Sequence, residues 1–189
     1  MTTPPRLVLV GPVATGKSTL GAAVATALGV PFVDVDGVGD RYYAEVGWSI
    51  DRLVARSAAV GRLAAEREWE TARAHAVARV VAEHPGAVVA LGAGHTSYVD
   101  PDHARHVRTV LAAVPHVVLV LPCADRDAAL AVLRRRSLAT KGRDWVVDGH
   151  DLLAEWVDDP TTRTVATDVL LTGDEGPDAS AARLLDLLG

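Results

Sequence analysis

The run Gly11-Pro12-Val13-Ala14-Thr15-Gly16-Lys17-Ser18-Thr19 fits the pattern G-x-x-x-x-G-K-[ST], and its residue types serve one chemistry. Its glycines let successive backbone N–H groups turn inward around a polyphosphate, while a helix opening at the lysine adds its positive N-terminal end. Gly11, Ala14, Thr15, Gly16, Lys17, Ser18 and Thr19 are therefore expected to cradle a nucleotide. Lys17 would reach the β- and γ-phosphates, and Ser18 would hold Mg²⁺. Two carboxylates follow at Asp34 and Asp36, and alternation along a strand over Phe32-Val33-Asp34-Val35-Asp36 would place both on one face beside the loop. Gly92-Ala93-Gly94-His95 is a small-residue turn where backbone can approach a ligand closely, with His95 a candidate for orienting or contacting substrate. Arg134-Arg135-Arg136, then the polar stretch from Ser137 to His150 with Lys141 and Arg143, suggests a mobile cover over phosphates.

The elements that would position these groups alternate. Leu7-Val8-Leu9-Val10 reads as a strand, and Thr19 to Leu28 as a helix ended by Gly29. The second strand ends in the two acids. From Val38 to His84 the pattern is helical, punctuated by Gly47 and Gly61, and a third strand follows at Ala87 to Leu91. Asp100-Pro101-Asp102 opens another helix, Val117 to Leu121 is a fourth strand, and Arg126 to Arg136 is an amphipathic helix. A short helix with Leu152, Leu153, Trp156 and Val157, a fifth strand at Val165 to Leu171 and a last helix from Ala179 to Leu188 complete the chain. Alternating strands and helices predict an α/β domain: a five-stranded parallel sheet covered on both faces.

Length, charge and composition narrow the partners. The 189 residues suit one domain. A net charge of −5 argues against coating nucleic acid, which calls for a basic face. No apolar run reaches the about eighteen residues of a membrane span, and the N-terminus has no apolar leader, so a cytoplasmic protein without a membrane partner is expected. Cys123 is the single cysteine and cannot form an internal disulfide. The chain contains neither Asn nor Gln, so the N-K-x-D element by which GTPases read guanine is absent. Neither a heptad nor a long exposed apolar stripe demands association, and a monomer or weak homodimer is expected.

With these residues in view, the chain resembles the shikimate kinase family of the nucleoside-monophosphate-kinase-like P-loop proteins over nearly its whole length. The resemblance implies a three-layer α/β/α P-loop kinase fold with a lid at about residues 137–148 and acceptor-binding helices at about 37–83. It implies ATP and Mg²⁺, with Asp34 placing the metal through water and Asp36 accepting a hydrogen bond from the acceptor hydroxyl and acting as its base. Gly47-Trp48-Ser49-Ile50 looks like the family's G-x-x-I. Glu66-Arg67-Glu68-Trp69-Glu70 looks like its F-R-x-x-E, which makes Arg67 an acceptor-binding residue. Gly92, Ala93 and Gly94 resemble its G-G-G on the acceptor side. Arg136 and Arg143 look like its adenine-side and lid arginines, the latter stabilising the transferring group.

The sequence also departs from that pattern. The lid's R-P-L-L is here Arg143-Asp144-Trp145-Val146, the middle glycine is Ala93, and the arginine that grips the shikimate carboxylate falls at or near Asp159 unless Arg163 replaces it. A carboxylate-bearing acceptor would meet like-charge repulsion from Asp158 or Asp159 if these face the pocket. The expected activity is thus ATP-dependent phosphorylation of a hydroxyl on a small polar metabolite, neutral or amine-bearing. Shikimate itself is the alternative acceptor, and a nucleotide-binding regulatory protein without transfer chemistry is the alternative of another class.

Overall fold

The structure, a computed structural model, describes residues 3–189. Its elements run β1 (Leu7–Val10), α1 (Lys17–Leu28), β2 (Phe32–Asp34), α2 (Val35–Glu45), α3 (Ile50–Val60), α4 (Arg62–Glu68), α5 (Glu70–Glu83), β3 (Val88–Ala90) and α6 (Pro101–Leu111). They continue as β4 (Val117–Leu121), α7 (Arg126–Lys141), β5 (Val146–Val147), β6 (His150–Asp151), α8 (Leu152–Asp158), α9 (Pro160–Val165), β7 (Asp168–Leu171) and α10 (Pro177–Leu188).

Five strands pair in the order β2-β3-β1-β4-β7, all parallel, as the alternation of elements predicts. Parallel neighbours need long crossovers, and here helices supply them, covering both faces. β1 is buried along its whole length, which is why it reads as an unbroken apolar run. Its side chains divide between two cores. Val8 and Val10 pack with Val77 and Val80 of α5 and Val107 and Leu111 of α6, whereas Leu7 and Leu9 pack with Leu20 and Val24 of α1 and Leu184 of α10. A third cluster joins Val13 to Leu133, Leu152, Leu153, Trp156 and Val157 above the strands' C-terminal ends.

Several boundaries differ from expectation: the last strand begins at Asp168 and not Val165, which ends α9, a helix capped by Asp159. β2 stops at Asp34, because that carboxylate caps α2 by accepting the Asp36 N–H at 3.1 Å. Asp36 therefore lies in a first helical turn, and strand alternation does not place it. α7 runs past Arg136 to Lys141, where Gly142 at φ 65° ends it. The residues after it form an antiparallel hairpin, β5 with β6, which periodicity did not indicate. That hairpin is tied down: Asp148 accepts the Leu63 N–H at 2.8 Å, Trp145 Nε1 donates to Ser137 Oγ at 2.8 Å, and Arg134 bridges to the Asp144 carbonyl at 2.7 Å. Among the described residues no helix is long and apolar enough to cross a membrane.

Candidate active site

The central strand delivers the phosphate loop. Gly11 turns at φ 130° directly under β4, where a Cβ would lie 2.7 Å from the Val120 carbonyl, so only glycine fits. Ala14 and Gly16 take left-handed φ values of 62° and 90°, and α1 begins at Lys17 with no side chain capping it. Its first N–H groups are left for an external acceptor, the arrangement that binds anions. Lys17 is 8% exposed, and its Nζ donates to the carbonyls of Gly11 and Pro12 at 2.8 and 2.6 Å. Burial lowers its pKa to about 8, against which the charge of Asp36 works. A buried ammonium resting on neutral carbonyls beside an uncapped helix fits a phosphate chain.

Lys17 and Ser18 share one cleft of about 270 Å³ with Asp34, Asp36 and the turn from Gly92 to His95. The outer glycines of that turn have no room for a side chain. A Cβ on Gly92 would sit 2.5 Å from Asp36 Oδ1 and 2.7 Å from His95 Nδ1, and one on Gly94 would overlap the Arg73 guanidinium. The middle position does have room, since the Ala93 methyl packs against the cluster around Leu133 and Trp156. His95 is 3% exposed, with Nε2 2.9 Å from the Tyr43 hydroxyl. Burial first, and Arg73 second, push its pKa down to about 3, so it is neutral at physiological pH.

Three of the chain's four tryptophans, Trp69, Trp145 and Trp156, also line this cleft, as does Lys141. The sequence analysis named Lys141 within the phosphate cover but passed over the three tryptophans as site residues. Buried side-chain polar atoms without a partner gather here too: Trp69 Nε1 and His95 Nδ1 belong to cleft residues, and Arg73 Nε lies behind Gly94. The remaining orphan, Thr172 Oγ1, belongs to a second pocket on the other side of the phosphate loop, bordered by Thr19, Glu175 and Arg136.

The other expected site residues are placed elsewhere. Arg143 lies in an outer depression with Arg62 and Val147, its guanidinium 5.8 Å from the Trp145 ring centre, and Lys141 takes the cleft position instead. Arg67 is bound to Glu155 through both Nη atoms at 2.8 and 2.6 Å. Asp159 caps α9, accepting the Thr162 N–H at 2.6 Å, and Asp158 is paired with Arg126 at 2.6 Å. Arg163 donates to the Val157 carbonyl at 3.1 Å. None of these five residues lines the main cleft, which differs from the expected placement of Arg67, Arg143 and Asp159 and removes the acidic repulsion anticipated there. For Mg²⁺ the donors fit: the Ser18 hydroxyl and Asp34 carboxylate are hard oxygens on one cleft. Among the described residues no cluster of three or more His, Cys, Asp or Glu could hold a metal, and Mg²⁺ on a nucleotide needs none, taking one or two carboxylates plus phosphates.

A parallel sheet in the order β2-β3-β1-β4-β7, with a phosphate loop leaving its central strand and a second pocket beyond that loop, defines a P-loop nucleotide-binding protein of the α/β class. The sequence model of one family, described as shikimate kinase, matches residues 13–188. A shikimate kinase of Streptomyces avermitilis is 33% identical over 191 residues, spanning 98% of this chain and 96% of that one. Another, from Stenotrophomonas maltophilia, is 33% identical over 183 residues, 96% of this chain and 89% of its own. The fold matches the solved shikimate kinase from Acinetobacter baumannii in complex with shikimate at a TM-score of 0.69, with 23% identity over 99% of this chain and 93% of that one. The chain belongs to the shikimate kinase family and is an ATP-dependent kinase acting on a hydroxyl group.

Proposed function

We propose that this protein transfers the γ-phosphate of ATP to a hydroxyl of a small polar metabolite other than shikimate. Support for transfer to a hydroxyl comes chiefly from one observation: the buried Lys17, bonded to carbonyls and a hydroxyl and to no carboxylate, shares one cleft with Ser18, Asp34 and Asp36. In this reading the phosphate loop holds the triphosphate, and the pocket beside Arg136, Thr172 and Glu175 takes the adenosine end. Ser18 would hold Mg²⁺ and Asp34 would place it through water, and the ion would neutralise phosphate charge when bound. Asp36 receives the acceptor's hydroxyl proton, that oxygen bonds to the γ-phosphorus, and the bond to the β–γ bridging oxygen breaks, releasing ADP. Phosphoryl transfer asks little covalent chemistry of a protein, so positioning and charge neutralisation supply the acceleration.

Residues 137–148 act as the lid in this proposal. Lys141 and Trp145 bring the end of α7 and the start of the hairpin onto the cleft, where they exclude water that would otherwise compete as acceptor. Arg143 reaches the transferring group only if the hairpin shifts from its present stack on Trp145. Shikimate as the acceptor is the second reading, favoured by the names of the relatives that match along nearly the whole chain. ADP release with Mg²⁺ and ATP, compared across no acceptor, shikimate and a panel of polyols, amino sugars and amino alcohols, decides. Turnover with a panel member but not with shikimate is expected. Robust turnover of shikimate would establish the second reading, and phosphate release without any acceptor would point to a hydrolase.

A further inference from the structure

Neither Arg67 nor Glu155 lines the main cleft, but the chain on either side brings both close to it. Each lies within two positions of a tryptophan that lines it, Trp69 on one wall and Trp156 on the other. Both oxygens of Glu155 are used by the guanidinium, at 2.8 and 2.6 Å, the two-pronged geometry that satisfies a carboxylate and an arginine together. His150 Nε2 stands 2.5 Å from Glu155 Oε2, and Glu70 approaches the same guanidinium at 3.7 Å. Burial acts to raise the Glu155 carboxyl, but Arg67 and His150 outweigh it and hold the group below the usual carboxylate range. The pair keeps 27% and 21% side-chain exposure, so it is sheltered but not sealed off.

Other guanidiniums nearby are committed as well. Arg73 donates to the Gly94 carbonyl at 2.6 Å, and Arg163 to that of Val157 at 3.1 Å. Among the described residues the main cleft is lined by two cations, Lys17 and Lys141, and by no arginine. An acid entering beside Arg67 would have to displace Glu155 or crowd a third carboxylate onto one guanidinium, and both are unfavourable. The indoles of Trp69 and Trp156 on the cleft wall offer apolar contact without net charge.

We propose that Glu155 is a specificity-determining residue: it serves as the internal carboxylate of Arg67, so that the acceptor is an uncharged cyclic polyol rather than an acid. The proposal rests on the kinase reading above and names its substrate class. Unbound and uncharged, such a ring meets no contest for the guanidinium.

The test titrates shikimate and its methyl ester into the full chain with MgADP present, read by tryptophan fluorescence, for the unaltered protein, Glu155→Gln and Glu155→Ala. The unaltered protein should bind the ester at least about tenfold more tightly than the acid. Glu155→Ala frees the guanidinium and should invert that preference, while Glu155→Gln, close in shape, should erase most of it. Melting temperatures and MgADP affinities near the unaltered values confirm that the variants fold, and the unaltered protein's own ratio decides even where they do not. Equal or tighter binding of the acid by the unaltered protein overturns the proposal, as does an unchanged ratio in folded variants or no binding of either ring. Failure of the kinase reading looks different: ATP fails to bind, or no acceptor releases ADP.

Discussion

The cation of the phosphate loop, Lys17, has no bonded counter-ion, whereas the arginine close to the acceptor side, Arg67, has more than one. Lys17 is nearly inaccessible and bonded only to carbonyls and a hydroxyl, and burial pulls its pKa down. Arg67 keeps some exposure, is gripped by Glu155 with Glu70 close by, and has its pKa pushed up by that bond to Glu155. A buried charge lacking its partner is held at a cost, and an arriving anion relieves it. A paired charge offers no such gain. The contrast separates a loop prepared for a polyanion from an acceptor side prepared for something uncharged.

Removing the unpaired cation should have the largest effect. Lys17→Ala is expected to lower turnover by at least about 10²–10³-fold, the loss typical of one preorganised electrostatic group, and to change the melting temperature little. ADP release and a thermal melt check the two halves of that statement, and retained turnover would remove Lys17 from the chemistry. On the acceptor side the tightest geometric constraint is at Gly92. Gly92→Ala pushes a methyl against Asp36 Oδ1 and His95 Nδ1, and a displacement of this kind costs roughly 10–100-fold in kcat. MgATP affinity should stay within about twofold, because the phosphate loop is untouched. An equal loss of nucleotide affinity would show that the two sides are not separable.

Legibility in the sequence follows the same division. The phosphate loop is contiguous, and its strand and helix flank it directly, so one short run announced both motif and context. Asp34 and Asp36 were placed beside it correctly but for the wrong reason, since a helix cap rather than strand alternation brings Asp36 there. The end of α7 was misjudged because three arginines suit a helix terminus, yet nothing breaks the helix before Gly142. Arg67 was singled out, but its partner is 88 residues away, and no local pattern joins them. The tryptophans of the cleft come from three separate segments and show no common period, although an uneven spread of so rare a residue was a signal to follow.

The smallest expected effect tests the state of Lys17 directly. In the empty protein its pKa is about 8, below the ordinary 10.5, because burial disfavours the charged form. Bound phosphates favour that form, so the pKa must rise on nucleotide binding, and binding above pH 8 must take up a proton. MgADP affinity should therefore be nearly flat below pH 7.5 and fall by up to about tenfold per unit above pH 8, until the bound-state pKa is reached. Calorimetry at pH 8.5 in two buffers of different ionisation heat should record that uptake, and Lys17→Ala should abolish it. Binding is a cleaner readout than stability, because near pH 10, where the Lys17 contribution levels off, the tyrosines begin to act with the opposite sign. Tyr42, Tyr43 and Tyr98 have pKa values raised by burial and destabilise the fold as pH climbs, whereas loss of the Lys17 proton stabilises it. An affinity unchanged from pH 7 to 9.5, with no proton taken up, would mean that Lys17 already carries its charge in the empty loop and that the contrast with Arg67 is one of geometry alone.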